Sequence, residues 1–158
     1  MAFEAGTWRI GGGATFASSA VTVEDTGGDV DVDTTTLVLS GGYFLTPSLE
    51  LGLSFISDVQ DVDGEEIGTD LFVPFFNYYL PVSQNYIRLG AGYQSGTFKF
   101  GDDIDITGFL VRAGYVLMIN QMVSVDFELV YEDTEWELGG DKVDATGTTA
   151  GATFSLYF

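Results

Sequence analysis

The chain predicts an all-β fold, an eight-stranded antiparallel up-and-down transmembrane β-barrel that makes one domain of residues 1–158. Three observations carry that expectation. Apolar and polar residues alternate with a period of two through most of the chain, and the eight alternating stretches are joined by connections that switch strictly between short and long. The composition is that of a β-protein, with 21 glycines, 15% aromatic residues and only three prolines. No run of about 18 uncharged apolar residues, the minimum for a membrane-spanning helix, is present.

The first strand sets Trp8, Ile10, Gly12, Ala14 and Phe16 against Thr7, Arg9, Gly11, Gly13 and Thr15. The second runs from a long connection, 19–33, into the tight turn Leu45-Thr46-Pro47-Ser48. In the third, Leu49, Leu51, Leu53 and Phe55 oppose Glu50, Gly52 and Ser54. The fourth, Leu71 to Leu80, is apolar on both faces; Asn77 inward leaves Phe72, Pro74, Phe76, Tyr78 and Leu80 outward. Pro74 has no N–H to give, so it requires a bulge or a weak ladder point. The fifth opposes Ile87, Leu89, Ala91 and Tyr93 to Arg88, Gly90, Gly92 and Gln94. The sixth opposes Phe109, Val111, Ala113, Tyr115 and Leu117 to Arg112 and Gly114, and the seventh Val123, Val125, Phe127, Leu129 and Tyr131 to Ser124, Asp126 and Glu128. The eighth carries Ala152, Phe154, Leu156 and Phe158 on one face. The other short connections are Pro81 to Asn85 and Ile119 to Met122, and the other long ones 57–69, 96–105 and 132–145.

A soluble barrel would put its large apolar residues inside and its charges outside. Here the glycine-rich face holds the charges and the other face is continuously apolar, so the first belongs in a lumen and the second against lipid. Tyr43, Tyr78, Tyr79, Tyr86 and Phe158 fall near the short turns and Phe55, Phe98, Phe100, Tyr131 and Trp136 near the long connections, which predicts two aromatic girdles.

Residues that are missing narrow the function. Without cysteine there is no disulfide, thiol nucleophile or thiolate metal site; without histidine, the general base of outer-membrane lipases, acyltransferases and proteases is lacking, and no enzyme is expected. Twenty of the 24 carboxylates lie in the four long connections or at their edges, offset only by Lys99 and Lys142. At a net charge of −19, such a rim disfavours nucleic acid and attracts cations or basic surface partners. The stretch Asp58-Val59-Gln60-Asp61-Val62-Asp63-Gly64-Glu65-Glu66 faintly resembles an oxygen-rich calcium loop, with Asp61, Asp63 and Glu65 as candidate ligands for Ca²⁺ or Mg²⁺, although Val59 breaks the spacing and no Glu stands at the twelfth position. Solvated loop charge is the competing reading.

The segments Trp8-Arg9-Ile10-Gly11-Gly12-Gly13-Ala14, Tyr43-Phe44-Leu45-Thr46-Pro47-Ser48-Leu49-Glu50-Leu51 and Tyr86-Ile87-Arg88-Leu89-Gly90-Ala91-Gly92-Tyr93, together with the final Phe158, resemble the small eight-stranded barrels of the OmpX, OmpW and OmpA-barrel type. The resemblance implies a bacterial outer-membrane location among outer-membrane lipids, as a monomer. It also implies folding by the barrel-assembly machinery, which reads a closing strand such as the one bearing Phe154, Leu156 and Phe158. Both termini are then periplasmic. Met1-Ala2-Phe3-Glu4 is no basic and apolar leader, so export implies a signal peptide removed from the mature chain. The superfamily spans adhesion proteins, narrow channels for small apolar solutes and structural anchors, and no gate or ligand motif of its channel members is recognisable here.

All three arginines, Arg9, Arg88 and Arg112, share the lumen face with Glu50, Asp126 and Glu128. Charges removed from bulk water need partners. Eight strands leave an interior only wide enough for side chains, which predicts a salt-bridged plug rather than a charged constriction in a pore, with Arg88 and Arg112 neutralising the three carboxylates. The function expected is surface interaction or envelope structure through the acidic rim, with a narrow solute channel as the alternative.

Overall fold

The computed structural model describes the backbone of residues 3–23, 28–62, 65–100, 102–138 and 141–158, and side chains outside 15–23, 28–34, 60–62, 65–67, 99–100, 102–103, 138, 141 and 143. Eight strands follow one another: β1 (Trp8–Val23), β2 (Gly28–Thr46), β3 (Leu49–Val62), β4 (Glu65–Val82), β5 (Asn85–Phe100), β6 (Asp102–Met118), β7 (Val123–Leu138) and β8 (Asp141–Tyr157). Each pairs antiparallel with its neighbours, and β8 returns to β1 to close the barrel.

The tight turns stand where the sequence puts them, and Ser83 at φ 59° shapes the one at Val82–Asn85. The long connections are shorter than expected. Ladders continue through most of 19–33, 57–69, 96–105 and 132–145, reaching Val23↔Gly28, Val62↔Glu65, Phe100↔Asp102 and Leu138↔Asp141. The reason lies in composition: these acidic stretches are interleaved with Val, Thr and Ile, whose branched side chains favour extended backbone, and paired strands satisfy N–H and C=O groups that a loop would leave to water.

The alternation sorts the faces as expected. Leu51, Leu53, Leu89, Val111, Phe127, Leu129, Phe154 and Leu156 are exposed on the outer surface, while Arg9, Glu50, Arg88, Gln94 and Asp126 are buried within. In β4, Phe72, Phe76, Tyr78 and Leu80 face outward and Leu71, Val73, Phe75, Asn77 and Tyr79 inward. The β4–β5 ladder breaks between Phe72↔Ser95 and Phe75↔Gly92 and resumes in the same register, so the weak point falls at Val73 and Pro74.

The girdles need correction. Tyr79 and Tyr86 are buried inside the barrel, and Phe98 and Trp136 pack inward against Leu71, Val73, Ile106 and Leu110. Strand parity explains all four. Tyr79 shares a face with Asn77, Tyr86 with Arg88, Phe98 with Gln94 and Trp136 with Thr134; an aromatic ring follows the pleat whatever its depth. The side chain of Phe100 lies outside the described residues.

The first residues form a second unexpected feature. Phe3 is buried at the short-turn end, stacked on Phe44 at 4.5 Å and touching Tyr86, Tyr157 and Tyr79 at 4.3, 4.7 and 5.0 Å between ring centres. Gly6 allows this: its φ of 98° turns the chain back, and Gly6 N–H donates to Phe44 O while Phe44 N–H donates to Thr7 O. Phe3 and Phe158 thus both sit at the short-turn end, where the backbone of Phe158 and Trp8 exchange hydrogen bonds.

The apolar outer surface makes a direct test possible. A Lys at Leu51, Leu89, Val111 or Val125 should cost about 2–4 kcal/mol near mid-depth and impair insertion. Spin labels at these sites should report lipid or detergent contact; contact with water instead would overturn the assignment.

Candidate functional site

The interior is built in three levels. At the short-turn end Phe3, Phe44, Tyr79, Tyr86, Val116 and Tyr157 form an apolar floor. Above it, β1, β2, β3, β4, β5, β7 and β8 contribute a buried polar layer. Arg9 Nε donates to Glu50 Oε1 at 2.6 Å, and Glu50 Oε2 accepts from Asn77 Nδ2 at 2.7 Å and Tyr79 OH at 2.8 Å. Arg9 Nη1 also reaches Ser40 and Ser155, and Ser155 Oγ passes the connection on to Asp126 Oδ2 at 2.9 Å. Arg88 donates to Asp126 Oδ2 at 3.1 Å and to Glu128 Oε2 at 2.9 Å. Ser124 Oγ donates to Asp126 Oδ1 and meets Tyr157 OH at 3.1 Å, tying the charged layer to the aromatic floor.

All six lumen charges named from the sequence stand inside the barrel, but not in the pairing expected. Glu50 belongs to Arg9, not to Arg88 or Arg112. Register supplies the reason: Arg9 pairs with Gly42, and Gly42 with Gly52, so the Glu50 side chain lies across the space that glycine leaves. A Cβ at Gly42 would overlap the Glu50 carboxylate, and one at Gly90 would overlap Asn77 Oδ1. Arg112 is the loosest member, 3.9 Å from Glu128 and set over the Phe75 ring at 4.8 Å; Arg9 approaches the same ring at 5.7 Å.

The plug does not fill the barrel. Above Arg112 and Glu128 lies a cavity of about 310 Å³, lined mainly by Val38, Ile56, Leu71, Ile106, Leu110 and Val130, with Asp58 and Glu132 among its acidic lining. That volume is at the lower end of small-molecule sites, roughly 300–1,000 Å³. The barrel wall beside it is distinctive. The β1–β8 ladder consists of Arg9↔Tyr157, Ile10↔Leu156, Gly11↔Ser155 and Gly12↔Phe154, whereas β1 pairs with β2 from Trp8↔Tyr43 to Val23↔Gly28 and β8 with β7 from Val123↔Leu156 to Leu138↔Asp141. Gly13, Ala150, Gly151, Ala152 and Thr153, next to where that ladder stops, line the cavity.

Of the candidate cation ligands, the side chains of Asp61 and Glu65 lie outside the described residues. Asp61 pairs with Glu66 and Glu65 with Val62 in the β3–β4 ladder, an extended ribbon rather than a coiled loop; Asp63 lies outside the described residues. No group of three or more metal-binding side chains occurs among the described residues. Parity alone could have found residues that the sequence reading passed over. Ser40, Ser155, Tyr157 and Tyr79 all share the inward face with the charges, while Phe3 precedes the first strand and carries no such signal.

Two substitutions test the network. Arg88→Met leaves Asp126 and Glu128 without their shared cation and should cost about 3–5 kcal/mol in denaturant unfolding, well beyond the effect of Arg112→Met; equal losses would overturn the pairing. Gly42→Ala should cost about 1–3 kcal/mol through overpacking against Glu50, although it adds one methyl group to a glycine in a strand.

No protein-family profile and no curated protein sequence matches the chain. Solved structures do. The outer membrane protein OprG from Pseudomonas aeruginosa is similar over 99% of this chain and 97% of its own, with a TM-score of 0.65 and 19% identity. The outer membrane protein AlkL, solved by solid-state NMR in DMPC lipid bilayers, is similar over 99% of this chain and 90% of its own, with a TM-score of 0.52 and 16% identity. An all-antiparallel closed barrel of eight strands, apolar outside and charged within, therefore has the fold of small outer-membrane β-barrels.

Proposed function

We propose that this chain is an integral, non-enzymatic protein of the bacterial outer membrane that takes small, largely apolar solutes into its upper cavity and releases them sideways into the bilayer. One observation carries the reading: the β1–β8 ladder stops at Gly12↔Phe154, level with a cavity whose floor is closed by the charged plug. A solute entering from the long-hairpin end meets Arg112, Phe75 and the salt-bridged layer below, while the small residues Gly13, Ala150, Gly151 and Ala152 flank a seam with no further register pairs among the described residues. An apolar molecule gains by leaving water for hydrocarbon, about 25 cal/mol per Å² of surface, so partition supplies the direction of travel.

The short turns and both termini face the periplasm in this reading, and the acidic hairpins face the cell exterior. Phe154, Leu156 and Phe158 serve as the closing-strand signal for the barrel-assembly machinery. The rim also favours cations or basic surface partners: Asp58, Asp70, Asp105, Glu132, Asp133, Glu135, Glu137 and Asp144 stand at that end, where Lys142 bridges Glu135 and Glu137. Ca²⁺ or Mg²⁺ acts there by bridging carboxylates.

In planar bilayers the refolded protein should show no sustained ionic conductance, because the plug blocks a straight path; steady conductance would favour a through-pore. With no native cysteine, cysteines at Ala14 and Ala150 can be stitched across the seam by a bis-maleimide. Uptake of an apolar reporter into lipid should then fall several-fold, and unchanged uptake would overturn the lateral route. Calorimetric titration with Ca²⁺ at fixed ionic strength should give saturable heat that Asp61→Asn with Glu65→Gln reduces; heat no larger than that of monovalent salt reduces the rim to diffuse charge.

A further inference from the structure

The base of the upper cavity carries polar groups that the plug does not use. Gln94 is 1% exposed, and neither its Nε2 nor its Oε1 has a hydrogen-bond partner among the described residues. The same holds for Ser54 Oγ, in a residue 2% exposed, and for Arg112 Nε. All three residues line the same cavity. The wall places Ser54 and Gln94 close in level, with Arg112 about 13 Å further along β6 toward the charged layer. Ser54 pairs with Val73, and the β4–β5 register, interrupted at Pro74, sets Val73 opposite Gln94. Gln94 pairs in turn with Gly108 on β6, the strand that carries Arg112 four residues on. Buried polar atoms are nearly always satisfied, and a full amide with both ends unpartnered at a cavity wall is the exception that calls for a ligand.

We infer that Gln94, with Ser54 and Arg112, forms a hydrogen-bonding subsite for the neutral polar head of an otherwise apolar molecule, an alcohol or a primary amide. This deepens the proposed function and rests on the cavity being the solute site. The head must both donate and accept, because Gln94 offers a donor and an acceptor and Arg112 Nε a further donor. It must be uncharged. The plug already balances three arginines against Glu50, Asp126 and Glu128, and Asp58 and Glu132 also line the cavity, so a carboxylate would enter against a negative field. An ammonium head would meet two donor atoms, Gln94 Nε2 and Arg112 Nε, and the repulsion of the Arg112 charge. The apolar lining from Val38, Ile56, Leu110 and Val130 takes the chain, and the β1–β8 seam beside it gives the tail a path to lipid.

The two tryptophans separate the test cleanly, since Trp8 faces outward and Trp136 lines the cavity. In a Trp8→Phe background in lipid nanodiscs, bromine on a bound chain quenches Trp136 on contact. 8-Bromooctan-1-ol should quench saturably, and Gln94→Leu, close in volume, should weaken its binding about tenfold, the loss expected for hydrogen bonds left unmade. Ser54→Ala should weaken it less. 1-Bromooctane should quench both proteins alike. If alcohol and alkane each bind the Gln94→Leu and Ser54→Ala proteins as they bind the parent, the subsite is overturned while the cavity reading stands. If 8-bromooctanoate binds more tightly than the alcohol at neutral pH, the neutral head is overturned. If no probe quenches saturably, the cavity itself is not the solute site.

Discussion

Backbone hydrogen bonding in a medium without water is the constraint from which the rest of this structure follows. Hydrocarbon offers no partner to a free N–H or C=O, so a sheet that meets lipid has to close on itself, and the order β1 to β8 with β8 returning to β1 does so with neighbouring strands only. Closure turns the period-two alternation inside out relative to a soluble barrel. Leu51, Leu89, Val111 and Phe127 take the outer surface, and every charge in the wall has to be satisfied within a lumen that eight strands make narrow.

That narrowness explains the company the charges keep. Arg9, Arg88, Glu50 and Asp126 have almost no contact with solvent, so each needs close partners, and Ser40, Ser124, Ser155, Asn77 and Tyr79 add hydrogen bonds to the ion pairs. Glycine makes the room. Gly42 and Gly90 leave the space that the Glu50 carboxylate and the Asn77 amide occupy, so side chains from seven strands meet in one layer. The aromatic floor under this layer excludes water from the side where the turns are short, and Phe3 completes it by folding the first residues into the barrel mouth.

The upper half obeys the same rules with a different outcome. Its inward residues mix branched apolar side chains with threonines and carboxylates, and they leave a cavity where the lower half is packed. Beside that cavity the barrel is least completely zipped, between β1 and β8, and small residues stand on both sides of the gap. Plug, cavity and seam together divide the molecule into a plugged end and a hollow one, and the proposed lateral passage rests on that division.

Much of this was legible in the sequence. A period of two needs no tertiary information, so the strand order, the tight turns, the inward Asn77, the weak ladder at Pro74 and the lumen placement of all six charged residues could be read from alternation alone. Parity also contained the inward aromatics Tyr79, Tyr86, Phe98 and Trp136, which were expected at the girdles because depth was weighed above face. Tertiary structure alone decided the rest. Which arginine meets which carboxylate depends on register and on cross-barrel reach, and Gly42 hands Glu50 to Arg9. Whether an acidic, valine- and threonine-rich stretch coils as a loop or extends as a ladder depends on a partner strand being present to pair with it. Phe3 has no periodic neighbours to betray it, and the unpartnered amide of Gln94 becomes visible only once the walls around it are closed, because satisfaction of a polar group is a property of its surroundings and not of the residue.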